Sequence, residues 1–490
     1  MLFCFSQQKR EQNCKETSMA TKRRENYPIV RVTKTVSVLP KSLHPQQVLR
    51  LSNLDRQCPM LMYMVFFYKS SSAYQSLSLD SVFSSLKSGL EETLSIWYPA
   101  AGRLSLNPND GKLDLWCNNN GAVLVEAVTD AKIIDLGDLS QYNEFFECLS
   151  YKPVFHGNFS DMPLLVAQVT RFGCGGYSIG IGASHSLFDG PATYDFLRAW
   201  ASNSAILKEK RGTELSKPVH QRGTLLVSNQ GRTKLPVSGS TATRAAAIDH
   251  LYQLIKQAIA GQKNCGSDMK FGTGNLPDMG NSNLVLKTFH LSDAMIESLK
   301  RKVFGGRRGS ASCSSFELLA AHLWKARTNA LGVRKGAMVC LQFAVDIRNK
   351  MVPPLPKGFS GNAYVLASVA LTAEELEEAS HEAIVGKIKE AKNSISNDYV
   401  NAYNQALDGP QSTLPPMNEL TLVSDWTRMP FHRIDFLHGE AAYASPLASP
   451  IPQVAYFMQN PTDSRGIDVR IGLIPQTLNA FSHYFLTNLQ

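Results

Sequence analysis

Hydrophobic and polar positions sort the chain into short alternating and helical segments. From Tyr27 onward, Ile29, Arg31, Thr33 and Thr35 face one way and Val30 and Val32 the other, the period of two that marks a strand, until Pro40 ends it. Leu61–Tyr68 reads as a second strand. Ser78–Ile96 places Leu79, Val82, Leu86, Leu90 and Leu94 three or four residues apart, the stripe of an amphipathic helix, which Tyr98-Pro99 breaks. Strands are expected near Lys112–Trp116, Ala122–Val128, Pro163–Thr170 and Tyr177–Ala183. Gly190-Pro191 then opens a helix with Tyr194, Leu197 and Trp200 on one face.

A second series begins at Leu284. It comprises a strand over Leu284–Leu291, a helix from near Ser292, and another after Ser314, whose Ser-x-x-Glu317 spacing is that of a capping box. The buried face of that helix should be Phe316, Leu319, Ala320, Leu323 and the stem of Arg327. Met338–Val345, Tyr364–Ala370, Gln453–Gln459 and Ile467–Ile474 read as strands. Thr372-x-x-Glu375 should open a long helix, and Gln476–Leu489 a final one. Between the two series, residues 205–285 are polar, basic and rich in Gly, Ser, Thr and Asn, with only Ala245–Ile259 helical in pattern. Strands and helices in both halves predict an α/β (α+β) protein of two lobes. The N-terminal lobe covers 26–204, a polar crossover 205–285 and the C-terminal lobe 286–490. A basic tail over 1–25 is expected to be disordered.

Composition narrows the function classes. A length of 490 residues suits two lobes, and 43% hydrophobic with 19% charged residues excludes a chain that is mainly disordered. No apolar run reaches the ~18 residues of a membrane span. The net charge of +9 is concentrated: residues 1–25 contribute +3 and residues 205–285 contribute +6, leaving the rest neutral. Without a basic stripe interleaved with aromatics on a folded segment, a nucleic-acid partner is not expected. The nine Cys residues are odd in number and form no C-x-x-C pair, the mark of reduced thiols rather than a disulfide framework or zinc site. The apolar start, Met1–Phe5, is too short for a signal peptide. Together these features point to the cytoplasm, and a second Met-Ala start at Met19-Ala20 is expected to begin the ordered, or even the usual, protein.

The segment that carries candidate chemistry is Ser184-His185-Ser186-Leu187-Phe188-Asp189-Gly190, between a strand and a helix. An imidazole with an ordinary pKa near ~6.5 is largely neutral at cytosolic pH and suits a general base. Two other readings stay open: a core His185 with Asp189 as a helix N-cap, or a His-x-x-x-Asp metal pair that lacks further ligands nearby. Gly176-Tyr177-Ser178-Ile179-Gly180 matches the G-x-S-x-G nucleophile elbow. Ser178, however, lies inside an alternating strand and not at a strand-to-helix turn.

His185 to Gly190 resembles the HxxxD(G) signature of the BAHD acyltransferases, the plant acyl-CoA-dependent transferases, and the resemblance has ordered company. Tyr98-Pro99-Ala100-Ala101-Gly102-Arg103-Leu104 is similar to the family's early Y-P-x-A-G-R-L block. Leu286 to Lys300 and Ser315 to Trp324 resemble the opening elements of the second lobe. Val345-Asp346-Ile347-Arg348, Pro353-Pro354-Leu355-Pro356 and Gly361-Asn362 resemble the D-x-R, P-P-L-P and G-N elements. Ser424-Asp425-Trp426 and Asp435-Phe436-Leu437-His438-Gly439 stand where members carry a T-S-W-like stretch and then DFGWG.

The resemblance implies a two-lobed, chloramphenicol-acetyltransferase-like fold with a channel between the lobes and His185 midway along it. A segment near 436–460 should return to the first lobe. It implies acyl transfer from acyl-CoA to a small alcohol or, as the lesser alternative, an amine. His185 would act as base, with neither a metal nor a permanently bound cofactor. Asp189 would then be structural, turned from the reacting face to pair with Arg348. Ser424 and Trp426 would face the acyl carbonyl, or Trp426 would only pack the lobe interface. Asp435 and Gly439 belong to the structural motif, which here departs from the family at Leu437 and His438. Those departures and the long crossover leave a second class open: an accessory protein of the same shape that modulates another enzyme.

Overall fold

The computed structural model describes residues 28–71, 77–154, 158–204, 216–226, 284–305, 313–407, 419–437, 439–447 and 453–487. The basic tail, the helix expected over 245–259 and His438 lie outside the described residues.

The first half of the chain builds a six-stranded sheet. Its strands are β1 (Val30–Val38), β3 (Leu61–Tyr68), β6 (Ala122–Thr129), β7 (Leu165–Phe172) and β8 (Tyr177–Ser184), completed by β13 (Tyr443–Pro446) from far downstream. The order is β1-β6-β7-β8-β3-β13, with β6–β7 parallel and the other pairs antiparallel. Alternation along β3 divides the core. Met64, Phe66 and Tyr68 pack beneath the helices α2 (Leu79–Ile96) and α3 (Gly190–Asn203). Val65 and Phe67 meet Phe145, Phe146 and Leu149 on the other face. A smaller sheet, β2 (Gln47–Leu49), β5 (Leu113–Cys117) and β4 (Arg103–Leu106), flanks this lobe. Near it lies the one-turn helix α1 (Asn53–Arg56), held by a capping box between Ser52 and Asp55.

The second sheet is ordered β11-β10-β12-β14-β15-β9. It uses β9 (Val285–Leu291), β10 (Met338–Asp346), β11 (Tyr364–Thr372), β12 (Leu420–Asp425), β14 (Ala455–Gln459) and β15 (Ile467–Leu473). After α4 (Asp293–Phe304) comes α5 (Ser315–Leu331), whose Ser314–Glu317 capping box is present. Its middle, Leu318 to Trp324, is buried on every side, so the expected single apolar face is too narrow a description. The long helix expected after Thr372 is two helices. The first, α6 (Ala373–Glu378), stops where Ala379 turns extended. Ser380 then caps α7 (His381–Asn393) by accepting from the Ala383 N–H. Lys325 Nζ, on the buried helix, donates to the carbonyls of Glu377 and Ala379 at the break. The helices α8 (Asn397–Ala406) and α9 (Leu478–Leu486) complete the lobe.

Two stretches depart from the linear division of the chain. Of residues 436–460, Tyr443–Pro446 joins the first sheet beside β3, whereas Ala455–Gln459 pairs within the second. Residues 216–226, inside the polar crossover, thread into the protein. Val219 bridges to Phe359, Leu225 joins the second lobe's core, and Arg222 is buried. Its charge is tolerated there because Asp55 meets it at 2.9 Å.

Candidate active site

His185 stands immediately after β8, whose last residue, Ser184, pairs with Leu61 of β3. The strand reaches this point through close packing. A Cβ on Gly180 would lie 2.1 Å from the Leu149 carbonyl oxygen, and one on Gly182 would lie 2.4 Å from the Tyr63 ring. Ser178 is fully buried in mid-strand, paired with Phe67 and Thr170, so it cannot form a nucleophile elbow.

The backbone N–H of His185 donates to the Met60 carbonyl at 2.9 Å, and a tight turn through Leu187 leads to Asp189. Asp189 caps α3 by accepting from the Ala192 N–H at 3.1 Å. It also receives both arms of Arg348, Nη1 to Oδ2 at 2.7 Å and Nη2 to Oδ1 at 2.9 Å, and the Ala363 N–H at 3.0 Å. Arg348 donates further to the carbonyls of Phe359 and Gly361. Burial works against the guanidinium's charge, but Asp189 and Asp346 outweigh it and raise its pKa, so Arg348 keeps its charge. The cap and the cross-lobe pair are therefore one carboxylate performing both tasks.

The imidazole is oriented by Asn362. The Asn362 Oδ1 lies 3.1 Å from His185 Nδ1, and Asn362 Nδ2 donates to the His185 carbonyl at 2.7 Å and to Asp55 Oδ1 at 3.1 Å. Both amide hydrogens thus meet groups that can only accept. For the neutral imidazole this arrangement places the proton on Nδ1 and leaves the lone pair on Nε2. The Tyr364 ring stands edge-on to the imidazole, 5.9 Å between centroids. Its phenol is held protonated, because burial pushes its pKa well above the ordinary value. His185 itself is half-buried.

His185, Asp189 and Arg348 thus belong to one hydrogen-bonded junction, completed by Asn362, Asp55 and Arg222. Ser424 and Trp426 bond to each other, indole N–H to Ser424 Oγ at 3.0 Å. The indole also stacks edge-on with Phe431 and Tyr456 and packs on the first lobe's core. Asp435 and Gly439 form a separate turn, in which the Gly439 N–H donates to Asp435 Oδ1 at 2.6 Å. Leu437, where the motif has Gly, is buried in the first lobe's core. The altered motif therefore closes. Among the described residues, no cluster of three His, Cys, Asp or Glu side chains is arranged to hold a metal. An open cavity of about 630 Å³ lies beside the crossover segment, lined by Tyr98, Lys217, His220 and Lys357 among others.

A family model described as the Transferase family matches residues 29–487. The chain is a BAHD acyltransferase. Members of this family are acyl-CoA-dependent enzymes. The chain is 56% identical over 453 residues to brassinosteroid-related acyltransferase 1 of Arabidopsis thaliana, covering 90% of this chain and 94% of that one. It is 31% identical to the fatty alcohol:caffeoyl-CoA acyltransferase of the same plant, over 92% and 97% of the two chains. The fold of this BAHD acyltransferase is similar to that of vinorine synthase, with a TM-score of 0.69 at 20% identity over 94% and 98% of the chains. It is also similar to F. graminearum TRI101 complexed with coenzyme A and T-2 mycotoxin, with a TM-score of 0.68 at 13% identity over 88% and 96%. No described helix of the BAHD protein is long and apolar enough to cross a membrane.

Three members of the junction were not singled out from sequence. Asp55 carries a signal, the Ser52-x-x-Asp55 spacing, but the helix it caps has a single turn. Asn362 stood out only as a letter of the G-N element. Arg222 is one of eleven basic residues in a polar stretch, and nothing local marks it.

Proposed function

We propose that the protein moves an acyl group from acyl-CoA to a hydroxyl of a small, largely apolar acceptor of the steroid or lipid-alcohol class, with His185 as general base. The observation that carries this reading is the fixed imidazole, whose Nε2 lone pair is left to accept a proton. The acceptor O–H gives its proton to Nε2 as the oxygen attacks the thioester carbonyl. The tetrahedral oxyanion collapses to the ester, the C–S bond breaks, and the CoA thiolate takes the proton back from the imidazolium. Such base catalysis contributes about 10²–10⁴-fold. Because the Trp426 indole N–H is engaged with Ser424 Oγ, the Ser424 hydroxyl proton is available to the oxyanion, with Trp426 positioning it. Asp189 and Arg348 hold the His185 loop against the second lobe.

The relatives' names support this acceptor class. One refers to brassinosteroids, one to a fatty alcohol, and a third, at 29% identity, to feruloyl transfer onto the oxygen of ω-hydroxypalmitate. Coenzyme A bound to a protein of the same fold supports acyl-CoA as the co-substrate. The odd number of Cys residues and the lack of a C-x-x-C pair support a cytoplasmic setting. The test is a matrix of acyl-CoA donors against steroid, long-chain and phenolic alcohols and amines, read by product mass. Ester products with an alcohol are expected, and products with amines alone would overturn the hydroxyl assignment. His185→Ala should lower the rate about 10³-fold at unchanged melting temperature. Retention of more than about a tenth of the rate would remove the base role.

A further inference from the structure

We propose that Asp55 and Arg222, neither of which is placed to touch substrate, are positioning residues for the base. Together they hold Asn362 in the one amide orientation that leaves the His185 Nε2 lone pair toward the acceptor. The inference rests on the base role proposed above for His185.

The argument starts from the amide. A side-chain amide has a donor end and an acceptor end of nearly the same shape, so its neighbours decide which way it lies. Asn362 Nδ2 faces the His185 carbonyl and Asp55 Oδ1, two groups without hydrogens. Reversal would bring its oxygen against both. Of these two acceptors, Asp55 carries the charge. It is fully buried, and five donors converge on it. Oδ1 accepts from the backbone N–H and Nδ2 of Asn362, and Oδ2 accepts from the backbone N–H and hydroxyl of Ser52 and from Arg222 Nε.

An isolated carboxylate would not remain ionised in that interior. Arg222 supplies the countercharge at 2.9 Å, itself buried and anchored by donating from Nη1 to the His220 carbonyl at 2.7 Å. Its guanidinium lies so close to the backbone leading into Asn362 that a Cβ on Gly361 would fall 2.7 Å from its central carbon. Charge thus passes structurally from Arg222 to Asp55, direction from Asp55 to Asn362, and tautomer from Asn362 to His185.

The four residues come from different parts of the chain: Asp55 and His185 from the first lobe, Arg222 from the crossover, Asn362 from the second lobe. A competent base therefore requires the crossover segment to be seated. With Arg222 withdrawn, the lobes could still pack and bind CoA while the imidazole lost its preferred tautomer.

The experiment reads the tautomer directly, by ¹⁵N imidazole spectra of histidine-labelled enzyme, with the His185 signals assigned by their loss in His185→Gln. In the unmodified enzyme, His185 is expected to carry its proton on Nδ1. Finding it on Nε2 would overturn the proposal with no mutant required. Asp55→Asn presents an NH₂ group toward Asn362, so the amide should reverse and the His185 proton move to Nε2 in a large share of molecules. The rate constant kcat should fall about 10²-fold, with KM for acyl-CoA nearly unchanged.

Arg222→Met should do the same in lesser degree, and Arg222→Lys should retain more activity than Met. A folded Asp55→Asn enzyme with the original tautomer and rate would overturn the proposal. If Asp55→Asn does not fold, Asn362→Ala decides: an unchanged tautomer and kcat would equally overturn it. Failure of the base role is distinguishable, because it would appear as transfer surviving His185→Ala whatever the spectra show.

Discussion

Arginines join the lobes at two places, with different partners. At the His185 junction, Arg222 and Arg348 each meet a carboxylate, Asp55 and Asp189, which in turn accepts backbone or amide hydrogens from residues 361–363 or their neighbours. At the second place, Arg470 of β15 reaches across to the first lobe through neutral oxygens. Its Nη1 donates to Ser445 Oγ and the Pro446 carbonyl, its Nη2 to the Ser140 carbonyl, and its Nε to Thr288 Oγ1. Burial pulls its pKa down, while Tyr443 and Asp468 push it back up. Carbonyls and hydroxyls satisfy a guanidinium but do not direct a titrating group. The first place is a junction that orients, and the second is one that only fastens.

Three experiments can break or sharpen that contrast. The largest effect is expected at Asp189–Arg348. Arg348→Met leaves the buried Asp189 carboxylate without its countercharge and should cost about 3–5 kcal/mol in denaturant melts, with a matching loss of transfer rate; Asp189→Asn should cost less, because the half-buried Arg348 keeps Asp346. The double variant should be less damaged than the two losses added. Strict additivity would mean that the two side chains do not act together, and the contrast would fail.

Next comes Arg470→Met, expected to cost about 3 kcal/mol in the same melts, while kcat per folded molecule stays within about twofold. A large fall in kcat without a loss of stability would show that this fastening also orients the site.

The smallest effect is a pH dependence on the crossover. His220 accepts at Nδ1 from the Ser360 hydroxyl at 2.7 Å and donates from Nε2 to the Ile96 carbonyl at 3.0 Å. Burial lowers its pKa to about 4. The unfolded chain, with a value near ~6.5, takes up the proton first as pH falls. The stabilising contribution is therefore complete above pH ~6.5 and diminishes as pH drops toward 4, by about 2 kcal/mol at pH 5. His381 is also lowered to about 4 and titrates in the same window. The check is therefore the difference between the unmodified protein and His220→Gln: the variant's melting temperature should vary less between pH 7 and pH 5. Equal slopes would show that His220 is not held neutral.

The elements that sequence located well are those written in local chemistry. The run Leu61–Tyr68 is a strand with those bounds, and Ser314 caps its helix as its Ser-x-x-Glu spacing implies. Ser380 lacks that spacing, with Ala383 three residues on, and the helical periodicity running past it concealed the break. The junction was legible in its motifs and not in its wiring. His185 and Asp189 are four residues apart and visible as a unit, and the pairing with Arg348 entered only through the family resemblance. Arg222 finds Asp55 across 167 residues, and Asn362 finds it across 307. Nothing in a single chain marks which polar residue of a basic stretch will be drawn inside, because the partner that makes its burial tolerable lies in another lobe.

The strand Tyr443–Pro446, which leaves the second sheet's territory to lie along β3, bears on how the protein is made. The ribosome releases the first lobe's strands early, but the edge of β3 from Met64 to Phe67 has no neighbour until residue 446 has emerged. For most of synthesis an apolar strand edge stands open, the kind of edge that recruits other chains. The first lobe therefore cannot be completed first and the second added afterwards. The two must finish together, and a chain divided at the crossover would leave its first part with an unfinished sheet.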